Sequence, residues 1–470
     1  MFKKSLSIII LSAFIVSGNA FAQQYLTIEQ CRDLAVENNK SLKMASEQER
    51  VAYYEKKEAF MKYFPEISFV GTYLRNQKNL NLIQSSMIPS SVPIPAIELP
   101  PPLPSFPAHD LDLSGVKSEI LKATELDIKN VWAGGFTLTQ PLFMGGKIVA
   151  YNDLRSYAEE LSKTMYDSKM TDVIVEVDNA YWQVVSVSNK KKLAESYVEL
   201  LTKMDKDIST MVEEGVATKA DHLSVSVKLN EAEMTLTKAE NGLSLAKMLL
   251  SQLCGLDITD AITLRDENAE SLPTTGGADE LANVDEALAN RDEIKSLELA
   301  SKIYKKQEKI ALAEFMPNVA LTANYLWTNP NGFDGFQNKF GGMWNVGVVV
   351  KVPLNFGTNS AKLNAAKAQT RIKEYELADA RDKIKLQVNQ ETYKLNEANK
   401  KLIAAKKNTE KADENLRYAN VGFEEGVISA SDAMAAHTAW ISAHSEMIDA
   451  QIDLKLCRIY LNKALGRNVK

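Results

Sequence analysis

The chain has 470 residues, 45% of them apolar and 25% charged, and its formal net charge of −6 lacks the basic excess that a nucleic-acid-binding face requires. Three cysteines, Cys31, Cys254 and Cys457, are an odd number without metal-ligand spacing, and the four histidines, His109, His222, His437 and His444, complete no metal set. Buried or idle cysteines and surface histidines are therefore expected, with no disulfide framework, metal or cofactor. No nucleophile motif, phosphate loop or convergent histidine and carboxylate set argues for an enzyme, and the many Asp, Glu and Lys residues fit solvated helix faces.

At the N-terminus Lys3 and Lys4 precede an apolar run from Leu6 to Val16 and small residues ending Ala20-Phe21-Ala22, which reads as a secretory signal peptide over residues 1–22. Cleavage removes Lys3 and Lys4 and takes the net charge from −6 to −8. Cys31 lies too far beyond the cut to be a lipid-attachment cysteine. No later stretch approaches the roughly 20 apolar residues of a membrane helix, so membrane insertion would have to use strands.

A charged helical segment from Thr27 to Phe64 leads to Pro65, after which Ile67, Phe69 and Tyr73 alternate with other residues and predict a strand over about 65–75. Residues 76–131 follow as a long loop; eight of the fourteen prolines fall between Pro89 and Pro107, and clustered prolines predict an extended path without helix or central strand. A second strand over about 132–141 alternates Trp132, Phe136 and Leu138 with Ala133, Gly135, Thr137 and Thr139, and ends at Pro141-Leu142.

Proline is then absent until Pro273, and long helices are the default because proline costs about 3 kcal/mol inside one. A helical hairpin is predicted over 147–255, reversing at Glu213-Glu214-Gly215-Val216. The stretch 256–283, with Thr274, Thr275, Gly276 and Gly277, reads as an equatorial linker. Everything then recurs: a helical segment 284–316, a strand over about 317–328 with Val319, Leu321, Tyr325 and Trp327, and a short loop. Next come a strand over about 344–353 with Trp344, Val346, Val348, Val350 and Val352, and a hairpin over 358–466 reversing at Glu424-Glu425-Gly426-Val427.

Gly146, Gly215 and Gly255 return 211 residues later as Gly357, Gly426 and Gly466, which marks an internal duplication of 23–255 in 284–470. The outgoing helix of each hairpin would rise about 100 Å and the returning one only about 60 Å. The deficit predicts stacked helices, with 284–316 continuing the first return and 27–64 continuing the second. Four strands cannot close a barrel, and an open edge in lipid leaves backbone groups unpaired, so the chain must share its barrel with copies of itself. Two copies would give eight strands and three would give twelve, the number a wide channel favours.

In order and spacing these elements resemble the TolC family of outer-membrane efflux and secretion channels, from Leu26-Thr27-Ile28-Glu29 to Ala464-Leu465-Gly466. The resemblance implies a mixed α+β membrane protein: a long α-helical barrel, or coiled-coil tunnel, joined to a shared twelve-stranded β-barrel with four strands per protomer. It further implies a homotrimer in the outer-membrane lipid of a Gram-negative bacterium, with the tunnel in the periplasm. A periplasmic adaptor and an inner-membrane transporter would be its partners in tripartite efflux or type I secretion. The alternative is a periplasmic or secreted long-helix coiled-coil scaffold.

By the same resemblance, Glu213, Glu214, Gly215, Val216, Glu424, Glu425, Gly426 and Val427 form hairpin tips where the adaptor docks. Asp221 and Asp432 fall where the family places aspartates near a periplasmic constriction, with Asp432 repeated as a carboxylate ring; first-turn helix capping is the competing reading. A second aspartate expected one turn after Asp432 is replaced by Ala435, and a basic latch residue by Ile428. Apolar contacts of Phe423 and Ile428 are therefore expected to hold the closed state.

Overall fold

The structure, a computed structural model, describes residues 25–96, 104, 107–259, 261–268, 283–334 and 337–467. The signal segment 1–22, most of the proline run between 97 and 106, and linker residues 269–282, including Thr274, Thr275, Gly276 and Gly277, lie outside the described residues. Along the chain run α1 (Ile28–Asn38), α2 (Lys40–Met61), β1 (Glu66–Arg75), β2 (Leu80–Asn81), β3 (Ser91–Ile94) and β4 (His109–Asp112). There follow α3 (Ser114–Ala123), β5 (Glu125–Leu126), β6 (Asn130–Met144), α4 (Lys147–Glu213), α5 (Lys219–Cys254), α6 (Val284–Asn290) and α7 (Asp292–Ala313). The last elements are β7 (Asn318–Asn329), β8 (Gly341–Lys351), α8 (Phe356–Glu424) and α9 (Ala430–Ala464). They divide into two compact units, Met1–Ala52 with Ala158–Ser301 and Ile372–Lys470, and Tyr53–Tyr157 with Lys302–Arg371.

The second unit holds one antiparallel sheet in the order β1-β6-β7-β8. Its register aligns Phe69 with Phe136, Phe136 with Tyr325, and Tyr325 with Trp344, so the aromatic positions of four strands share one face. Ile67, Phe69, Tyr73, Trp132, Phe136, Tyr325, Trp344, Val346, Val348 and Val350 all stand exposed on that face. The other face carries Ser68, Thr72, Thr137, Thr139, Thr322, Asn324 and Asn345, with Asn324 Nδ2 donating to Asn345 Oδ1 at 2.9 Å. That second face also exposes Val70, Leu74, Met343 and Val349, so period two in the sequence becomes an apolar side and a mixed one. Trp327 lies over the backbone of Gly134, where a Cβ would sit 2.8 Å from the indole, and stacks on Phe69 at 5.7 Å.

The loop expected over 76–131 as a plain extended path is built up further. β2 pairs with β5, β3 pairs with β4, and α3 occupies the proline-free stretch after Pro107. Proline excluded helix only as far as it extends, and Pro93 enters β3 because a two-stranded ribbon has free edges for its missing N–H.

α4 and α8 are single helices of 67 and 69 residues, with residues 158–213 and 372–424 in the first unit. Three apolar cores run along them: one joins Cys31 and Ala35 to Val177, Tyr181, Leu250 and Ile452; a second joins Ala287 and Ile294 to Val388, Leu395 and Leu461; a third joins Leu201 and Ile208 to Val225 and Ala433. Arg32 binds the fully buried Asp178 through two contacts of 2.7 Å and fixes α1 to α4.

The helix stacking differs from the expected pairing. Asn38 occupies the space beside Gly255 where a Cβ would project, and Asn39 Nδ2 donates to Leu253 O at 3.1 Å, so α2 begins where α5 ends. Similarly, a Cβ on Gly466 would lie 2.9 Å from Asn290, and Arg291 reaches Ala464 O, so α7 begins where α9 ends. Each returning helix is continued by the helix that precedes its own strands. The reason is local: Asn39 and Arg291 interrupt the helical segments 27–64 and 284–316, and their side chains satisfy the carbonyls at the ends of α5 and α9. Gly146 and Gly357 also part company, since Gly146 turns at φ +83° while Gly357 lies inside α8.

Candidate gate at the hairpin tips

Both hairpins reverse on the same hydrogen bonds. At the first, Gly215 takes φ +76°, its N–H donates to Val212 O, and Val216 N–H reaches Met211 O at 2.8 Å. At the second, Gly426 takes φ +66°, its N–H donates to Phe423 O, and Val427 N–H reaches Gly422 O at 2.7 Å. This left-handed helix ending requires glycine, because a Cβ opposes that φ. Glu213, Glu214 and Val216 are exposed at one turn and Glu424, Glu425 and Val427 at the other, with the two valines 75% and 78% accessible.

Asp221 and Asp432 each serve their own helix start. Asp221 Oδ2 accepts from Thr218 Oγ1 at 2.6 Å and Thr218 N at 3.0 Å, while its own N–H donates to Thr218 Oγ1 at 3.2 Å. Those bonds, from the hydroxyl first and the amide second, hold the Asp221 carboxyl below its ordinary value. Asp432 Oδ2 accepts from Ser429 Oγ at 2.7 Å and its N–H returns to Ser429 Oγ at 3.2 Å. Both aspartates remain exposed.

Phe423 and Ile428 are brought together with the other hairpin. Both are half-buried against the core of Leu201, Met204, Ile208, Val225, Ala433 and Met434. Val212 and Ala217, which stand 211 residues before them, enter the same core. These two were missed in the sequence, although the repeat offset points straight at them.

The histidines also need correction. His437 is buried on the side of α9 that meets α8, its Nε2 lies 2.9 Å from Asn420 Oδ1, and burial pushes its pKa down. His222 reaches Asp205 at 3.3 Å, and Asp413 receives both Trp440 Nε1 and His444 Nε2, at 2.6 and 2.9 Å. No group of three or more His, Cys, Asp or Glu side chains fit to hold a metal occurs among the described residues. Above the tips a groove of about 490 Å³ opens between α4, α5 and α9, floored by Leu193, Ala232 and Ile441 and rimmed by Lys190, Lys228 and Lys238.

The family model for outer membrane efflux proteins matches residues 31–256 and 283–467. The chain belongs to the outer membrane efflux protein family. It is thus an outer-membrane protein, of the TolC-like kind. Among solved structures it is similar to the outer-membrane channel OprN at 15% identity, covering 94% of this chain and 90% of that one with a TM-score of 0.72. It is also similar to the Campylobacter jejuni CmeC outer membrane channel, at 14% identity, 93% and 85% coverage and a TM-score of 0.74. For the Vibrio cholerae outer membrane protein VceC the values are 14%, 94% and 97%, and 0.71. Comparison with curated proteins gave no match.

Proposed function

We propose that three copies of this chain form a passive exit duct, with a shared twelve-stranded barrel in the outer membrane and a helical tunnel in the periplasm. The observation that carries the reading is the sheet: among the described residues β1 and β8 have no partner on their outer edges, and the apolar face is exposed. Lipid suits that face, but an open edge there leaves backbone groups unpaired at several kcal/mol each. Copies of the chain can satisfy both edges, β8 of one against β1 of the next, in a ring that closes.

The helices favour the same partner. α5 exposes Leu223, Val227, Met234, Leu245 and Leu249, and α8 exposes Tyr375, Leu386, Tyr393, Ile403 and Tyr418. Apolar stripes of this extent suit a helix wall that continues into a neighbouring copy. The internal duplication supplies two strands and one hairpin from each half of the chain, so the wall repeats six times around a trimer.

At the periplasmic end, Phe423 and Ile428 hold the second hairpin against the first as an apolar latch. The exposed Glu213, Glu214 and Val216, with Glu424, Glu425 and Val427, offer the docking surface for a periplasmic adaptor, which links the duct to an inner-membrane transporter. The transporter supplies the energy, and the duct itself catalyses nothing. Asp432, repeated by symmetry, adds a carboxylate ring at the aperture.

Single-channel recording in planar bilayers tests the reading. Detergent-extracted protein is expected to run with three chains per particle and to conduct. A protein released by salt washing alone, as a single chain without conductance, overturns the duct. Asp432→Ala is expected to weaken block by divalent cations, and unchanged block and selectivity remove the carboxylate ring while leaving the latch in place.

A further inference from the structure

Two of the three cysteines meet, although nothing in their sequence spacing suggests it. Cys31 in α1 and Cys254 at the last position of α5 stand 223 residues apart, are 0% and 1% exposed, and share one apolar core. Cys254 Sγ donates to Cys31 O at 3.5 Å. Cys457 stands apart, half-buried beside the second core.

The surroundings hold the pair in place. Arg32 anchors α1 to Asp178, and Leu26 pairs with Leu264 through Leu26 N to Thr263 O at 2.9 Å, so the chain on either side of the two sulfurs is fixed. One residue beyond Cys254, Gly255 abuts Asn38, the last residue of α1. Both sulfurs therefore sit at the joint where α1 meets the end of α5.

We propose that Cys31 and Cys254 are a redox site that closes to a structural disulfide on the periplasmic side of the outer membrane. This rests on the outer-membrane location and not on the duct or its gate. The compartment is oxidising, and disulfides persist there. The oxidant is an oxidised thiol–disulfide exchange protein. One thiolate of the pair attacks one sulfur of its disulfide, forming a mixed disulfide and expelling the donor's other sulfur as a thiolate. The other thiolate of the pair then attacks the sulfur joined to the donor, forming the Cys31–Cys254 bond and releasing the donor's second thiolate. Two thiols lose two electrons and two protons, and the donor disulfide becomes a dithiol.

With both sulfurs sealed in the folded protein, exchange takes place before α1 seats on α5, and the finished bond is shielded from reductants.

Thiol counting on the full chain tests this. Protein extracted from outer membranes, denatured without reductant and treated with a polyethylene-glycol maleimide, is expected to take one label, on Cys457, and three after reduction. Cys31→Ser is expected to take two labels with or without reductant. Three labels on the unreduced parent protein overturn the proposal, as does a peptide map that joins Cys457 to either partner. Reductant is further expected to lower the heat-denaturation midpoint of the parent protein and leave Cys31→Ser unmoved; an equal shift in both overturns the stapling role.

Discussion

The α4–α5 turn and the α8–α9 turn follow one hydrogen-bond plan, yet they place different side chains in the core between them. The first contributes Val212 and Ala217, the second Phe423 and Ile428. Equal backbone geometry with unequal apolar volume separates two roles. The glycines, hydroxyl caps and aspartates make a hairpin reverse, whereas the size of the two flanking apolar residues sets how firmly it is held to its neighbour. The first turn in turn has the more complete cap, with Asp221 bonded to both the hydroxyl and the amide of Thr218.

The largest effect is expected from removing the bulkier pair. Phe423→Ala with Ile428→Ala should loosen the second tip by roughly 2–4 kcal/mol, given half-burial of both, and raise resting conductance in planar bilayers. Val212→Ala at the first tip should move conductance much less. Equal increases from the two would break the assignment of the latch to the second hairpin.

Gly215→Ala and Gly426→Ala each force a side chain into a left-handed conformation and should cost about 1–2 kcal/mol, read as lower thermal stability of the helical unit. Because this concerns the turn itself, the two variants should be alike. Smaller still, Thr218→Ala and Ser429→Ala should each cost about 1 kcal/mol, seen as faster amide exchange in the first turns of α5 and α9.

A pH dependence distinguishes the caps most finely. The folded state holds Asp221 below its ordinary value of 3.8, so its cap is fully present above that pH and is lost as pH falls through the lowered value. Amide protection at Thr218 should fall with acid below about pH 4, and Asp221→Asn should abolish that acid dependence.

The strands, both hairpins and their turns were legible in the sequence because each rests on a local signal: Pro65 and Pro317 before period-two alternation, proline-free stretches, and glycines at a constant offset. What the sequence hid is contact between distant segments. Asn38 and Asn290 also stand at the 252-residue offset of the first strand pair, and they mark the breaks between α1 and α2 and between α6 and α7. Propensity alone does not reveal that Asn39 and Arg291 meet the ends of α5 and α9. At the tips, Asp221 and Asp432 were identified by position, but their hydrogen bonds are those of helix caps. Burial of His437 depended on which face of α9 turns to α8, and the apolar positions on that helix are too crowded with alanine to choose one.

If copies of the chain share the barrel as proposed, the outer edges of β1 and β8, unpaired among the described residues, also impose an order of events on biogenesis. A lone chain carries a lipid-seeking face bounded by two rows of water-seeking backbone groups, so it is confined to the aqueous side until neighbours arrive. Insertion therefore waits on encounter, and its rate should climb more steeply than linearly with the amount of chain exported, which makes abundance itself a checkpoint against unfinished pores.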